Sequence, residues 1–277
     1  MLKLAAAQRC NPFRQGLDRH RVVGHTGAMI HALTHLPGPL DRAELTHIDR
    51  VAVDRERALA QHEAYRAALT RAGAQVTLLP ALPDHPDCCF VEDTAVILPD
   101  LVIVTRPGAA SRRGEIAAIV PQLPVDRPHL VITAPGTIDG GDVMVVGRDI
   151  FIGLTQRTNA EAVRQVADGV AARGWRVTGV PLARALHLKT AVSALADDLV
   201  LVNTDWLDPA IFGRRHIASA AGEPFAANSL TVGNTVFHAT GARTLARIAA
   251  AGFAVEFLDI SEFAKAEAGL TCLSLVY

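Results

Sequence analysis

The sequence predicts one repetitive α/β domain, and two recurring patterns carry that prediction. The first is a pair of short apolar strands joined by a polar turn. The second is an Ala-rich helical stretch that stops at glycine and runs into another strand. Composition sets the scale: 277 residues, 50% hydrophobic and 20% charged, supply ample material for a buried core and argue against extended disorder.

The strand pair occurs as Thr94–Leu98 with Leu101–Thr105, then as Val143–Val146 with Ile150–Leu154. It returns as Ala191–Leu195 with Leu199–Val202 and, more weakly, as Ser229–Val232 with Thr235–Ala239. Successive copies begin 49, 48 and 38 residues apart. The helix-to-strand junctions are Ala72-Gly73-Ala74, Arg173-Gly174-Trp175 and Ala251-Gly252-Phe253. Glycine at that place is the expected C-terminal stop of a helix. A repeat of this length implies stacked copies of one supersecondary unit. A doubly wound sheet is disfavoured, because Asp139-Gly140-Gly141-Asp142 matches neither G-x-G-x-x-G nor a phosphate loop. That segment reads as a turn, with close backbone approach to a ligand as one use for its glycines. The chain up to about Ala52 fits the repeat least, and Gly24–Leu45 reads as a lid or a plain connecting loop.

Charge and cysteine usage remove several functional classes. With 27 Lys+Arg against 28 Asp+Glu the net charge is −1, so no basic face for nucleic acid is indicated. No apolar run approaches the length of a membrane span, and the N-terminal run is too short for a signal-peptide core. Cys10, Cys88, Cys89 and Cys272 have neither zinc-motif nor disulfide-framework spacing. A cytoplasmic chain with reduced thiols is expected.

Polar residues with chemical potential cluster at the edges of the repeated strands. Asp87, Glu92 and Asp93 precede the first pair, Asp139 and Asp142 the second, and His187 the third; Cys272 precedes a terminal apolar strand, Leu273–Tyr277. If the units pack around a common axis, these edges converge on one pocket. Taken singly each has a plainer reading. A lone cysteine is usually a small core residue, and a histidine among apolar neighbours a satisfied core group. The acids could be turn and cap residues, Arg112-Arg113 a solvated pair, and Arg157 ordinary surface before a helix. Together they carry more. Thiol and imidazole are a nucleophile and a proton carrier, the minimum for covalent attack on an electrophilic carbon. Carboxylates beside a thiol oppose its ionisation unless a cation occupies the pocket. A guanidinium is such a cation and suits planar carboxylate hydrogen bonding, while arginines at a rim would hold a carboxylate. The combination describes an arginine-like amino acid.

The ordered segments Asp87-Cys88-Cys89-Phe90-Val91-Glu92-Asp93, Thr105-Arg106-Pro107-Gly108-Ala109 with Ser111-Arg112-Arg113, Asp139-Gly140-Gly141-Asp142, Leu154-Thr155-Gln156-Arg157-Thr158-Asn159, Leu186-His187-Leu188-Lys189 and Leu270-Thr271-Cys272 together resemble the dimethylarginine dimethylaminohydrolase family. This is a family of the pentein, or guanidino-group-modifying, superfamily, and the resemblance runs from about Leu45 to the C-terminus. It implies a five-fold pseudosymmetric α/β propeller (the pentein fold) with a central active site, as one catalytic domain over residues 1–277 with a lid loop within residues 24–45. It implies hydrolysis of dimethylarginine or monomethylarginine to citrulline and an alkylamine, through a covalent thiouronium and with neither metal nor organic cofactor. Cys272 would be the nucleophile, His187 the general acid/base and Asp139 its acidic partner. Asp87, Glu92 and Asp93 would recognise the guanidinium side and the amine of the substrate, and Arg112 and Arg157 its carboxylate. Leu45 falls at a lid leucine and Ala266 at a main-chain contact. The expected partner is the small substrate, with no nucleic acid or membrane; a homodimer is compatible.

Three other readings compete. Arginine deiminases and amidinotransferases of the superfamily generally carry an aspartate two residues after the histidine, where this chain has Lys189. A non-catalytic pentein binding protein would have no use for Cys272, His187 and Asp139 together. A zinc hydrolase lacks its H-E-x-x-H motif here.

Overall fold

The computed structural model describes residues 29–277. In chain order the elements begin with β1 (Ile30–His35), α1 (Arg55–Arg71) and β2 (Ala74–Leu79). The next unit contains β3 (Ala95–Leu98), β4 (Leu101–Val104), α2 (Ile116–Ile119) and β5 (His129–Val131). It is followed by β6 (Val143–Val146), β7 (Asp149–Leu154), α3 (Ala160–Val170) and β8 (Arg176–Pro181). Then come α4 (Leu188–Ala191), β9 (Val192–Ala196), β10 (Leu199–Val202) and β11 (Arg215–Ala218). The chain finishes with β12 (Ser229–Val232), β13 (Thr235–His238), α5 (Ala242–Ala250), β14 (Ala254–Phe257), α6 (Ser261–Ala264) and β15 (Leu275–Val276).

These strands make five three-stranded sheets, each built to one plan. A middle strand pairs antiparallel with the strand before it and parallel with the strand after it: β3-β4-β5, β6-β7-β8, β9-β10-β11 and β12-β13-β14. The fifth sheet, β15-β1-β2, follows the same plan but takes its first strand from the C-terminus. The five-fold pseudosymmetry is therefore completed by pairing the first and last described strands. All four strand pairs read from the sequence are present, and the three predicted helix stops, Gly73, Gly174 and Gly252, have φ of 95°, 74° and 99°, a region open to glycine at little steric cost.

The N-terminal reading needs correction. Residues 24–28 of the expected lid lie outside the described residues, and Ile30–His35 is no loop but the middle strand of a sheet. Ala32 and Leu33 are buried, and pairing on both sides satisfies the backbone; the polar residues His31, Thr34 and His35 obscured the strand. Among the described residues before α1, Met29 and residues 36–54, apart from the single turn Leu40–Arg42, lack regular structure.

Buried apolar residues form five clusters distributed around the sheets. One contact bears on the site. Tyr65 of α1 is fully buried and its hydroxyl bonds to the Leu270 carbonyl (3.1 Å) and Ser274 Oγ (2.7 Å), fixing the segment that carries Cys272.

Candidate active site

The repeat predicts where the site lies, because equivalent positions before each first strand come together. Single helical turns precede four of these strands: Val91–Thr94 before β3, Gly140–Asp142 before β6, α4 before β9 and Thr271–Leu273 before β15. The first turn touches the second and the last, and the second touches α4. Asn228, at the corresponding place before β12, joins the group. Its amide donates to Thr271 Oγ1 (3.1 Å) and the Lys189 carbonyl (2.9 Å), and its Oδ1 accepts from Thr271 N (3.3 Å). Asp93, Asp139, His187 and Cys272 thereby line one cavity of about 20 Å³, together with Glu44, Asp87, Arg112, Arg157, Ala266 and Glu267.

His187 sits between two carboxylates. Its Nε2 lies 3.1 Å from Asp139 Oδ2, and its Nδ1 lies 3.8 Å from Asp93 Oδ1. Both acids are themselves fixed. Asp139 Oδ1 accepts from Gly108 N (2.9 Å), while Asp93 accepts from Gly141 N (2.8 Å) and Arg112 Nη1 (2.5 Å). Asp142 takes Thr155 Oγ1, Thr158 Oγ1 and Leu188 N at 2.7, 2.6 and 2.9 Å, anchoring the start of α4 beside His187. The close approach expected of the glycines is to this machinery. A Cβ on Gly140 would stand 2.0 Å from the Glu92 carbonyl oxygen, and one on Gly141 2.5 Å from His187 Nδ1.

Electrostatics define the resting proton state. Burial opposes a charge on His187, but Asp93, Asp139 and Asp142 outweigh it and raise its pKa to about 9. Burial, then Glu92 and Asp93, push the Cys272 thiol upward, against smaller opposition from the Gly269 N–H and Lys189. Burial also tends to raise Asp93, yet His187 and Arg112 bring it down to about 2. Asp142 goes the other way, lifted by burial to about 6. These surroundings favour an imidazolium and a neutral thiol in the pocket. The ligand atoms of Asp93, Asp139 and His187 lie within 4.8 Å of one another, a spacing able to hold a metal ion, although each already has a protein partner.

The remaining expected residues divide. Ala266 lines the cavity; Asp87 does too, with both carboxylate oxygens accepting from Glu44 N at 3.2 and 3.1 Å. Arg157 is buried and lines it as well, donates to Thr46 Oγ1 (2.8 Å), and has no carboxylate within ion-pair distance among the described residues. Arg112 is no solvated rim residue: it is 4% exposed and spends its guanidinium on Asp93, Glu115 and the carbonyls of Asp87 and Phe90. Glu92 does not line the small cavity; it pairs with Lys189 Nζ (2.5 Å) and accepts from Thr271 Oγ1 (2.8 Å). Glu92, Lys189 and Thr271 instead border a separate cavity of about 760 Å³ lined by the first strands of all five sheets. Leu45 is half-buried and does not line the small cavity; its neighbour Glu44 does. Glu44, Glu267 and Asn228 are not singled out by the sequence. The repeat register is the signal available for Asn228.

A family model described as "N,N dimethylarginine dimethylhydrolase, eukaryotic" matches residues 46–221. The N(G),N(G)-dimethylarginine dimethylaminohydrolase of Streptomyces coelicolor is 36% identical over 251 residues, covering 88% of this chain and 95% of the relative. The chain belongs to the dimethylarginine dimethylaminohydrolase family. The dimethylarginine dimethylaminohydrolase of Pseudomonas aeruginosa is 38% identical over 226 residues, 80% of this chain and 89% of its own. A solved structure of the Pseudomonas aeruginosa dimethylarginine dimethylaminohydrolase with citrulline superimposes with a TM-score of 0.84 at 35% identity, covering 89% of this chain and 98% of that one. The dimethylarginine dimethylaminohydrolase fold and the five-sheet plan are thus the same architecture.

Proposed function

We infer that the chain hydrolyses Nω,Nω-dimethyl-L-arginine, and Nω-monomethyl-L-arginine, to L-citrulline and an alkylamine. The observation that carries this reading is a single pocket in which Cys272 and His187 meet Asp87, Asp93 and Asp139, with Arg157, which has no carboxylate ion-pair partner among the described residues, in its wall. Family membership and relatives named as dimethylarginine dimethylaminohydrolases support it. The whole described chain acts as one catalytic domain, because the fifth sheet joins its two ends. Cytoplasmic placement is supported by the free thiols of Cys88, Cys89 and Cys272, and among the described residues no helix is long and apolar enough to cross a membrane.

Cys272 is the nucleophile, and the substrate helps to create it. The guanidinium brings a positive charge among carboxylates that otherwise hold the thiol neutral, and so favours the thiolate, the thiol proton passing to solvent because His187 is already protonated. Sulfur attacks the guanidinium carbon, and the His187 imidazolium gives its proton to the departing dialkylamine, whose expulsion as an anion is prohibitive. A covalent thiouronium remains on Cys272. Neutral His187 then takes a proton from water, hydroxide attacks the same carbon, and collapse releases citrulline and the thiol. Asp139 orients the imidazole, Asp93 and Asp87 hold the cationic group, and Arg157 takes the α-carboxylate. Arg112 acts indirectly, by fixing Asp93. Incubation with dimethylarginine tests the reading by its products: citrulline and dimethylamine in equal amounts support it, and their absence with pure folded protein rejects it.

A further inference from the structure

The pocket is too small for an arginine-like substrate, so part of its wall has to move. A cavity of about 20 Å³ has room for roughly one water molecule, far below what an arginine-sized molecule occupies. The wall taken as the cover is the stretch around Glu44–His47, which contributes Glu44 to the lining, is neither helix nor strand and is fastened at several points. Asp87 accepts from Glu44 N at 3.1 and 3.2 Å, and Arg157 donates to Thr46 Oγ1 at 2.8 Å. The tightest fastening comes from the other end of the chain: Glu267 Oε2 accepts from Thr46 N (2.6 Å) and Oε1 from His47 N (2.5 Å).

Glu267 is unusual in its backbone. Among the described residues it is the non-glycine with positive φ, 60°, a conformation that L-residues with a side chain adopt at a cost. Glycine would suit the position better, yet would lack the carboxylate. A carboxylate taking two backbone N–H groups makes charge-assisted bonds, roughly twice as strong as neutral ones. Its donors are backbone amides, so the contact depends on Glu267 and on the path of the cover, whatever side chains the cover bears.

We propose that Glu267 is the latch of the active site, a positioning residue whose grip on the Thr46 and His47 amides sets how often the cover opens to expose Cys272. This rests on the pocket being the catalytic site inferred above, but its test needs no substrate. Two variants separate the latch from folding. Glu267→Gly fits the positive φ and should keep the fold, while Glu267→Gln keeps the size and removes the charge. In unliganded protein, hydrogen exchange of the Thr46 and His47 amides and the rate of Cys272 alkylation by iodoacetamide are read together. The latch predicts that both rise about 10- to 100-fold in each variant, the range for losing charge-assisted hydrogen bonds. The pH midpoint of alkylation should stay put, because Glu92 and Asp93 are the carboxylates that chiefly raise the thiol. Wild-type exchange in both variants overturns the proposal. So does faster exchange with an unchanged alkylation rate, or faster alkylation explained wholly by a shifted midpoint. Failure to turn over dimethylarginine would reject the functional reading and leave the latch result standing.

Discussion

Replacing Gly141 by alanine adds one methyl group at a crowded point of the site, directly against the catalytic histidine. Its Cβ would lie 2.5 Å from His187 Nδ1 and 2.8 Å from Asp93 Oδ1, where ordinary van der Waals contact begins at 3.4 Å. Gly141 does not have positive φ, so alanine meets no backbone penalty and the whole effect is steric. The imidazole or the Asp93 carboxylate must retreat by roughly 1 Å, and a misplacement of that size in a catalytic group costs about 10²-fold in rate. The Gly141 N–H bond to Asp93, 2.8 Å, lies in the same squeeze, so the imidazolium loses part of the field that raises its pKa. The assay is kcat on dimethylarginine, with circular dichroism and a thermal melt to show that the variant is folded. A fall of about 10²-fold with a native melt is expected. A folded variant within twofold of the parent kcat would refute the steric placement of His187 against this backbone.

Cys272→Ser should abolish turnover, since a hydroxyl among carboxylates cannot replace a thiolate; normal turnover would remove the covalent route. Arg157→Ala should raise KM about 10-fold or more with kcat largely kept, because the group it holds is remote from the reacting carbon; a guanidine substrate without a carboxylate should show no such loss, and equal losses on both would make Arg157 structural. Acid should destabilise the fold through His62, which burial, helped by Arg66 and His35, depresses to about 4. The folded state then binds fewer protons than the unfolded chain between pH 6.5 and 4, so stability falls as pH falls through that window, by about 2 kcal/mol between pH 7.5 and 5. Urea melts of the parent and of His62→Gln should differ in this pH slope, and identical slopes would contradict the assignment.

The sequence shows most clearly those elements whose partners are local. Each strand pair is two apolar runs around a tight polar turn, such as Pro99-Asp100 between β3 and β4, and antiparallel pairing needs nothing more distant. β1 is obscure for the opposite reason: its partners β2 and β15 lie far along the chain, and no local pattern announces them. β5 and β11 are three- and four-residue strands, each with two exposed side chains, too short for periodicity to register. At the site, Cys272, His187, Asp93 and Asp139 follow from strand-edge positions in a repeat, because the repeat itself makes those edges meet. The plainer reading of Arg112 with Arg113 as a solvated pair fails because the neutralising partners of Arg112 include Asp93, 19 residues away. Glu115, three residues on, was the local clue. Glu267 is invisible in sequence because its role depends on a positive φ and on two backbone amides more than 200 residues earlier.

Substrate choice turns on Lys189, which engages Glu92 at 2.5 Å and leaves neither group in the small cavity. Unmethylated arginine would thus lose an acceptor for its terminal nitrogens, and an unpaired buried donor costs more than a buried methyl gains, about 0.8 kcal/mol per carbon. The most direct measurement is kcat/KM for dimethylarginine and for arginine, side by side on the same preparation. A clear preference for dimethylarginine is the predicted result. Arginine equal to it or better would contradict the account and make the chain a deiminase.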